Sequence, residues 1–181
     1  MNNLSTDVAI IGGGIAGITT ALELLEFDKK VIIADRDIEE NFGGLAKESF
    51  GGMFFVDTPQ QRRGGIKDSP ELALKDWHNV AKFGEGDHWP KEWARTYVYN
   101  CTDEVYSWLK KNGVKFFSVV HWVERGLFTP GNSYPRFHMV WGTGHELVNV
   151  LVNKLLTHPK AKANLKLLFE HKVESIIETG G

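Results

Sequence analysis

The chain has 181 residues, 42% of them hydrophobic and 24% charged, the balance of a globular domain with a core rather than of a disordered one. Twenty-one Lys and Arg against 23 Asp and Glu leave a net charge of −2, which excludes a dominant basic footprint for nucleic acid and a solvating acidic tail. A single cysteine, Cys101, excludes an internal disulfide and a cysteine-built zinc site.

Residues 8–27 are mostly apolar, but they hold four glycines and Glu23, and Asp7 stands in front of them. They read as neither a signal peptide nor a membrane span, so the expected location is cytoplasmic, with a reduced thiol. Asp7–Ile11 is a short apolar run ending at glycine and predicts a buried parallel strand. Ile18, Ala21, Leu22, Leu24 and Leu25 fall at helical spacing within Ile15–Phe27, and Val31–Ala34 is a second apolar run. Together they predict a βαβ unit. Residues 36–67 are glycine-rich and read as a long ordered loop with at most a short helix, a feature usually tied to function. Ser69-Pro70-Glu71 opens a helix to about Phe83, with Ser as N-cap and Pro at the first position. A further helix is expected from near Pro90 to Asn112-Gly113, with room for a break. Val114–Val123 is β-rich, 126–135 a loop, Arg136–Trp141 a strand, and His145–Leu156 an amphipathic helix. Leu165–Phe169 and Lys172–Glu178 read as strands. Thr179-Gly180-Gly181 is a turn signal with no returning strand, which predicts that the chain is a piece of a longer protein. No internal repeat or low-complexity tract is present.

Gly12-Gly13-Gly14-Ile15-Ala16-Gly17 is a G-x-G-x-x-G that follows a strand and opens a helix, the context dinucleotide binding requires. Gly12 permits the sharp turn, Gly14 lets a pyrophosphate approach the backbone, and Gly17 lets the helix pack close to the sheet. The helix N-terminus then offers free N–H groups and about half a positive charge. Asp35, 18 residues past Gly17, ends the second strand. An acid there can accept both ribose hydroxyls.

Continuing through Ala21, Leu24, Asp28, Val31 and Asp35, the pattern resembles the extended fingerprint of FAD-binding Rossmann flavoproteins, with Asp28 in place of Gly and Asp35 in place of Glu. Gly43-Gly44-Leu45-Ala46-Lys47-Glu48-Ser49-Phe50-Gly51-Gly52 is similar to the GG-x-x-x-x-S-x-GG segment of the fumarate reductase/succinate dehydrogenase flavoprotein superfamily, which includes 3-ketosteroid Δ1-dehydrogenases. Such a loop forms a nest of N–H groups, and a Cβ would strike a flat ring system. Further runs resemble bacterial FAD-binding dehydrogenases of this group: Phe50 to Arg63, Asp87-His88-Trp89-Pro90, Val123-Glu124-Arg125-Gly126, Gly131-Asn132-Ser133, Pro135-Arg136-Phe137-His138 and Trp141-Gly142-Thr143-Gly144.

The resemblance implies an α/β, Rossmann-like FAD-binding domain with a parallel sheet and helices on both faces. Residues 1–181 would be its N-terminal part, and a substrate domain and a second FAD segment would lie elsewhere in the longer chain. It implies FAD contacts from Gly12, Gly14, Ile15, Ala16, Gly17, Asp35, Arg36, Gly43, Gly44, Leu45, Ser49, Gly51 and Gly52, and from a Val173 backbone group at the adenine. The chemistry implied is hydride transfer between a carbon–carbon bond of a small, steroid-like or enone substrate and the flavin.

No catalytic residue is assigned. The family's tyrosine after the strand corresponding to Val114–Val120 is missing, and His121-Trp122-Val123-Glu124 stands there. His121 is a candidate acid–base. Arg136 and His138 either face a substrate oxygen or form a buried hydrogen-bonded pair. Tyr106-x-x-x-Lys110 mimics the short-chain dehydrogenase pair but reads as helix neighbours. Arg62-Arg63 reads as a solvated pair or a phosphate contact. The six tryptophans are expected mainly in the core, Cys101 as an inert buried thiol, and the seven histidines show no metal-ligand spacing. Three readings remain: an FAD-dependent dehydrogenase or reductase, a cofactor-binding piece without turnover of its own, and an NAD-binding dehydrogenase, which the second glycine cluster disfavours. An unpaired sheet edge would favour association of the chain with itself.

Overall fold

A computed structural model describes residues 3–178. The chain divides into two compact units, residues up to 49 together with those from 144 onward, and residues 50–143.

The first unit opens with β1 (Val8–Ile11), α1 (Ile15–Glu26) and β2 (Val31–Ala34). Helix α1 buries Ile18, Ala21, Leu22 and Leu25 along one stripe. Asp28 takes a left-handed φ of 58° at the return into β2, the conformation the family pattern gives to glycine. Residues 36–49 carry two 3-10 turns, Glu39–Asn41 and Gly44–Glu48.

The second unit contains β3 (Gly52–Phe54), α2 (Pro59–Arg63), α3 (Pro70–Ala81), α4 (His88–Asn100), α5 (Ser107–Lys111) and β4 (Phe137–Met139). A π-helical stretch, Cys101–Tyr106, joins α4 to α5 without a break in the rod. Thr58 and Gln61 form a reciprocal capping box at α2, and Ser69 caps α3. Strands β3 and β4 pair antiparallel, Met53 opposite His138. Phe55 lies edge-on to Tyr106 and His138, each at 5.4 Å, and Tyr106 stacks on Phe116 at 5.3 Å.

Helix α6 (Thr143–Leu156), which belongs to the first unit from Gly144 onward, buries Leu147, Val148, Leu151 and Leu155. After α7 (Ala161–Asn164) the chain forms β5 (Leu165–Leu168), which runs parallel to β2 with Val31 opposite Leu165. The sheet order is β1-β2-β5, all parallel, the Rossmann-like α/β arrangement the sequence predicted.

Several expectations are corrected. Strand β1 is not fully buried: its residues alternate half-buried and exposed, because β2 is its only strand neighbour among the described residues. Val114–Val123 forms only isolated bridges, Phe116 with Val140 and His121 with Phe137. Lys172–Glu178 is not a strand; it has no regular secondary structure and is exposed, with no ladder partner among the described residues. The loop at 36–67 holds β3 and α2 as well as its two turns. Four tryptophans, Trp89, Trp93, Trp122 and Trp141, are exposed rather than buried, while Trp77 packs on Phe54 and Tyr97. The turn read at Thr179-Gly180-Gly181 lies outside the described residues.

Candidate functional site

The first unit holds a cleft of about 670 Å3 at the ends of β1 and β2. Gly12, Asp35, Arg36, Gly44, Leu45 and Val173 are among its lining residues. Gly12 leaves β1 with φ 92°, a left-handed turn that only glycine takes freely, and its N–H donates to the Ala34 carbonyl at 2.8 Å. Gly14 is the N-cap of α1 and faces open space, since a Cβ there would meet no atom within 4 Å. At Gly17 a Cβ would collide with the Gly12 carbonyl and come within 3.1 Å of the Ile10 side chain. The third glycine is therefore required by close packing of α1 on the strand and turn that precede it. The N–H groups of Ile15, Ala16 and Gly17 are at the first turn of α1, where no intrahelical acceptor exists.

Asp35 sits just past β2 with its backbone held by the end of β5 and the segment after it: its N–H donates to the Leu168 carbonyl and its carbonyl accepts from the His171 N–H. Its carboxylate already serves the protein. Oδ2 accepts the Gly13 N–H at 2.6 Å and Oδ1 accepts the Asp37 N–H at 2.9 Å. Each oxygen keeps a further lone pair for a hydroxyl donor. Asp37 in turn accepts from Asn41 Nδ2 and the Ile38 N–H, which hold its carboxyl below the usual carboxylate range.

The second glycine cluster meets the first directly. The Gly43 N–H donates to the Gly13 carbonyl at 2.9 Å, and Gly14 and Gly43 form a parallel bridge. Gly43 and Gly44 have φ of 108° and 61°. A Cβ on Gly43 would collide with Val148 of α6, so packing within the protein demands glycine at this position. Ser49 donates its hydroxyl to the Ala46 carbonyl at 2.8 Å. Gly51 and Gly52 belong to the second unit. Gly51 accepts the Val140 N–H, and a Cβ on Gly52 would overlap the Phe137 ring across the β3–β4 pair. The long glycine segment is thus shared between the two units.

The catalytic candidates of the second unit separate clearly. Arg136 is fully buried and binds Asp68 through two bonds of 2.8 Å, Asp76 at 2.7 Å and Asn132 at 3.0 Å. Burial pulls its pKa down, but the two carboxylates outweigh this and the net shift is upward. His138 bonds the Arg136 carbonyl through Nδ1 and Thr58 Oγ1 through Nε2, both at 2.9 Å, and burial pushes its pKa down to about 4. Of the two readings left open for this pair, the structure shows the buried hydrogen-bonded one. Arg62 is clamped by Asp57 in a bidentate pair. Tyr106 is buried in the aromatic cluster, and burial raises its pKa. Cys101 is buried, and burial likewise raises its thiol. His121 pairs through its backbone with Phe137 and is exposed. Sequence reasoning missed Gly13, Phe42 and His171, whose roles come from contacts between distant segments, and Asp37 and Asn41, which bond each other four residues apart beside Asp35.

Among the described residues there is no group of three or more His, Cys, Asp or Glu placed to hold a metal, and no helix is long and apolar enough to cross a membrane. The FAD binding domain family model matches residues 7–181. Two KsdD-like steroid dehydrogenases are similar to this chain: one from Mycolicibacterium smegmatis, 44% identical over 97% of this chain and 32% of its own length, and one from Mycobacterium tuberculosis, 42% identical over 98% and 31%. The chain spans about a third of the length of these curated relatives. Among solved structures, the 3-ketosteroid-Δ4-(5α)-dehydrogenase of Rhodococcus jostii superposes with TM-score 0.72 at 22% identity, covering 91% of this chain and 38% of that one. An open flavocytochrome c3 fumarate reductase superposes with TM-score 0.67 at 20% identity, covering 91% and 26%. Both likenesses show the flavoprotein fold. With a family match spanning nearly the whole sequence and the Gly12 turn and Asp35 lining one cleft, the chain belongs to the FAD binding domain family, and FAD is its cofactor.

Proposed function

We propose that this chain is the FAD-holding N-terminal portion of a flavin-dependent dehydrogenase or reductase acting on a carbon–carbon bond of a small, steroid-like or enone substrate. The observation that carries the reading is the cleft lined by Gly12, Asp35 and Arg36, together with the open space in front of Gly14 at the N-terminus of α1, two residues on from Gly12. Those features fit the adenosine diphosphate half of FAD: N–H groups and a helix dipole for the pyrophosphate, and a carboxylate with spare lone pairs for the ribose. The substrate class is supported by the 44% and 42% identity to KsdD-like steroid dehydrogenases. The bound flavin would supply the two-electron chemistry; the residues of this chain bind and orient it. Ile15, Ala16, Arg36, Leu45 and Val173 complete the proposed contacts, with Ser49, Gly51 and Gly52 on the second glycine segment.

The family resemblance carries the rest of this reading, a discontinuous FAD domain with a substrate-capping domain and a second FAD segment in other parts of a longer protein, and the coverage of about a third of each relative is compatible with it. A reading as a cofactor-binding piece without its own turnover has one observation in its favour: none of His121, Arg136 and His138 lines the cleft. The buried, unpaired Cys101 supports a reducing, cytoplasmic location.

The test is the visible spectrum of the purified protein during titration with FAD, repeated with NAD. A flavin spectrum perturbed to a stoichiometric end point is expected. Saturable NAD binding without FAD binding would overturn the cofactor assignment. For the substrate, the flavin-loaded full-length protein mixed anaerobically with a 3-ketosteroid should bleach. An unchanged spectrum with saturated and unsaturated steroids, for a protein that dithionite reduces, would overturn the steroid reading and leave the cofactor assignment standing.

A further inference from the structure

The first glycine motif has three consecutive glycines, Gly12-Gly13-Gly14, although a G-x-G turn asks for glycine only at its ends. The middle residue is held on three sides. Its N–H donates to Asp35 Oδ2 at 2.6 Å, and its carbonyl accepts the Gly43 N–H at 2.9 Å. On the third side lies the Phe42 ring. A Cβ on Gly13 would overlap that ring and come within 2.8 Å of Asp35 Oδ2. Gly13 is not among the residues with positive φ, so space, and not backbone conformation, demands glycine here. Phe42 is itself buried and fixed edge-on by Phe169, ring centroids 5.4 Å apart, one residue past β5.

We propose that Phe42 is a positioning residue for the dinucleotide site: its ring is the wall against which the Gly13 peptide is set, and with Asp35 Oδ2 behind it that ring leaves residue 13 no room for a Cβ. With N–H, carbonyl and α-carbon all fixed, the Gly13–Gly14 turn is formed before a diphosphate arrives, so less ordering is left for binding to carry out. Phe42 lies against the turn and is not among the residues that line the cleft. The proposal rests on the cleft being the FAD site.

The experiment measures the dissociation constant of FAD by flavin fluorescence, and of ADP by competition, in the full-length protein and in Gly13→Ala, Phe42→Leu and the double variant. Thermal midpoints are recorded in parallel. Gly13→Ala should weaken both ligands by about tenfold or more, since the new methyl group displaces the turn. Phe42→Leu should weaken both by a smaller factor. The double variant should bind both ligands at least about threefold more tightly than Gly13→Ala, because the smaller Leu leaves room for the added methyl; contacting residues of this kind are non-additive. A double variant no tighter than Gly13→Ala overturns the proposal. A Phe42 that only packs the core would lower the thermal midpoint and leave the affinity of the folded protein unchanged, and unchanged constants in Phe42→Leu overturn it even where Gly13→Ala does not fold. A parent protein that binds neither ligand overturns the cofactor reading, and Phe42's role with it.

Discussion

Gly14 has φ −72° and ψ −179°, extended backbone that a β-branched residue also accepts. A Cβ there meets no protein atom within 4 Å; a side chain would fill the space where a pyrophosphate has to approach. Gly14→Val is therefore expected to keep its circular dichroism and melting temperature and to lose FAD binding altogether. Stoichiometric flavin retained by that variant would place the site elsewhere. Arg136 presents the opposite case, a residue whose work is internal. Replacing it by Leu would leave Asp68 and Asp76 buried without their cation, at a cost of about 3–5 kcal/mol. Urea denaturation measures that cost, and a loss below about 1 kcal/mol would show that the carboxylates find water or protons instead. His138 beside it is neutral by construction. Nδ1 must donate to the Arg136 carbonyl, and Nε2 must accept from Thr58, whose oxygen also accepts the Gln61 N–H. With a folded pKa near 4 against an ordinary 6.5, the unfolded chain takes up the proton first as pH falls. Stability is therefore full above about pH 6.5 and falls as the pH drops from there toward 4, by up to about 3 kcal/mol. Stability measured by urea over that range should decline less steeply in His138→Gln; an identical slope would assign the pH dependence to other groups.

Helix α2 shows how little helix a cap needs when the tertiary structure uses it. Its five residues are opened by a capping box that also supplies the donor to His138. Thr58→Ala removes both functions and is expected to cost about 2 kcal/mol, against about 1 kcal/mol for Ser69→Ala at the more exposed start of α3. Equal losses in denaturant midpoints would mean that the bond to His138 adds nothing. Helix α3 was legible because Ser-Pro-Glu stands at the front of a helical pattern long enough to see. The capping box at Thr58 is just as plain in sequence, but a five-residue helix offers too little periodicity to distinguish it from a loop. The π stretch at Cys101–Tyr106 had no local signal beyond the room left for a break. It brings Tyr106 onto Phe116 and Thr102 onto the Val56 carbonyl, and neither contact can be read from the helix alone.

In the first unit, β1 has one strand neighbour among the described residues, and Ile11 at its end is more than half exposed. Leu127 and Phe128 in the second unit are more than nine-tenths exposed, as are the larger parts of Trp89 and Trp93. Unpaired strand edges and apolar surface of this kind favour association. The 181-residue chain on its own is expected to sediment as species larger than a monomer. A monomeric chain with a cooperative thermal transition would overturn that expectation.

The sequence by itself determined the βαβ arm and the position of the glycine turn between β1 and α1. Those features are local: a strand, three spaced glycines, a helix and an acid lie within about thirty residues, and their spacing is dictated by the geometry of a phosphate on a helix end. Only the tertiary structure decided what meets what across longer separations. It placed β5 beside β2, joined Gly43 to Gly13, and paired β3 with β4. It turned Arg136 and His138 from candidate catalytic groups into a closed buried network, and it left 172–178 without a strand partner among the described residues. A ladder needs a partner and a buried charge needs a counter-charge, and both come from remote parts of the chain whose arrival no local pattern encodes.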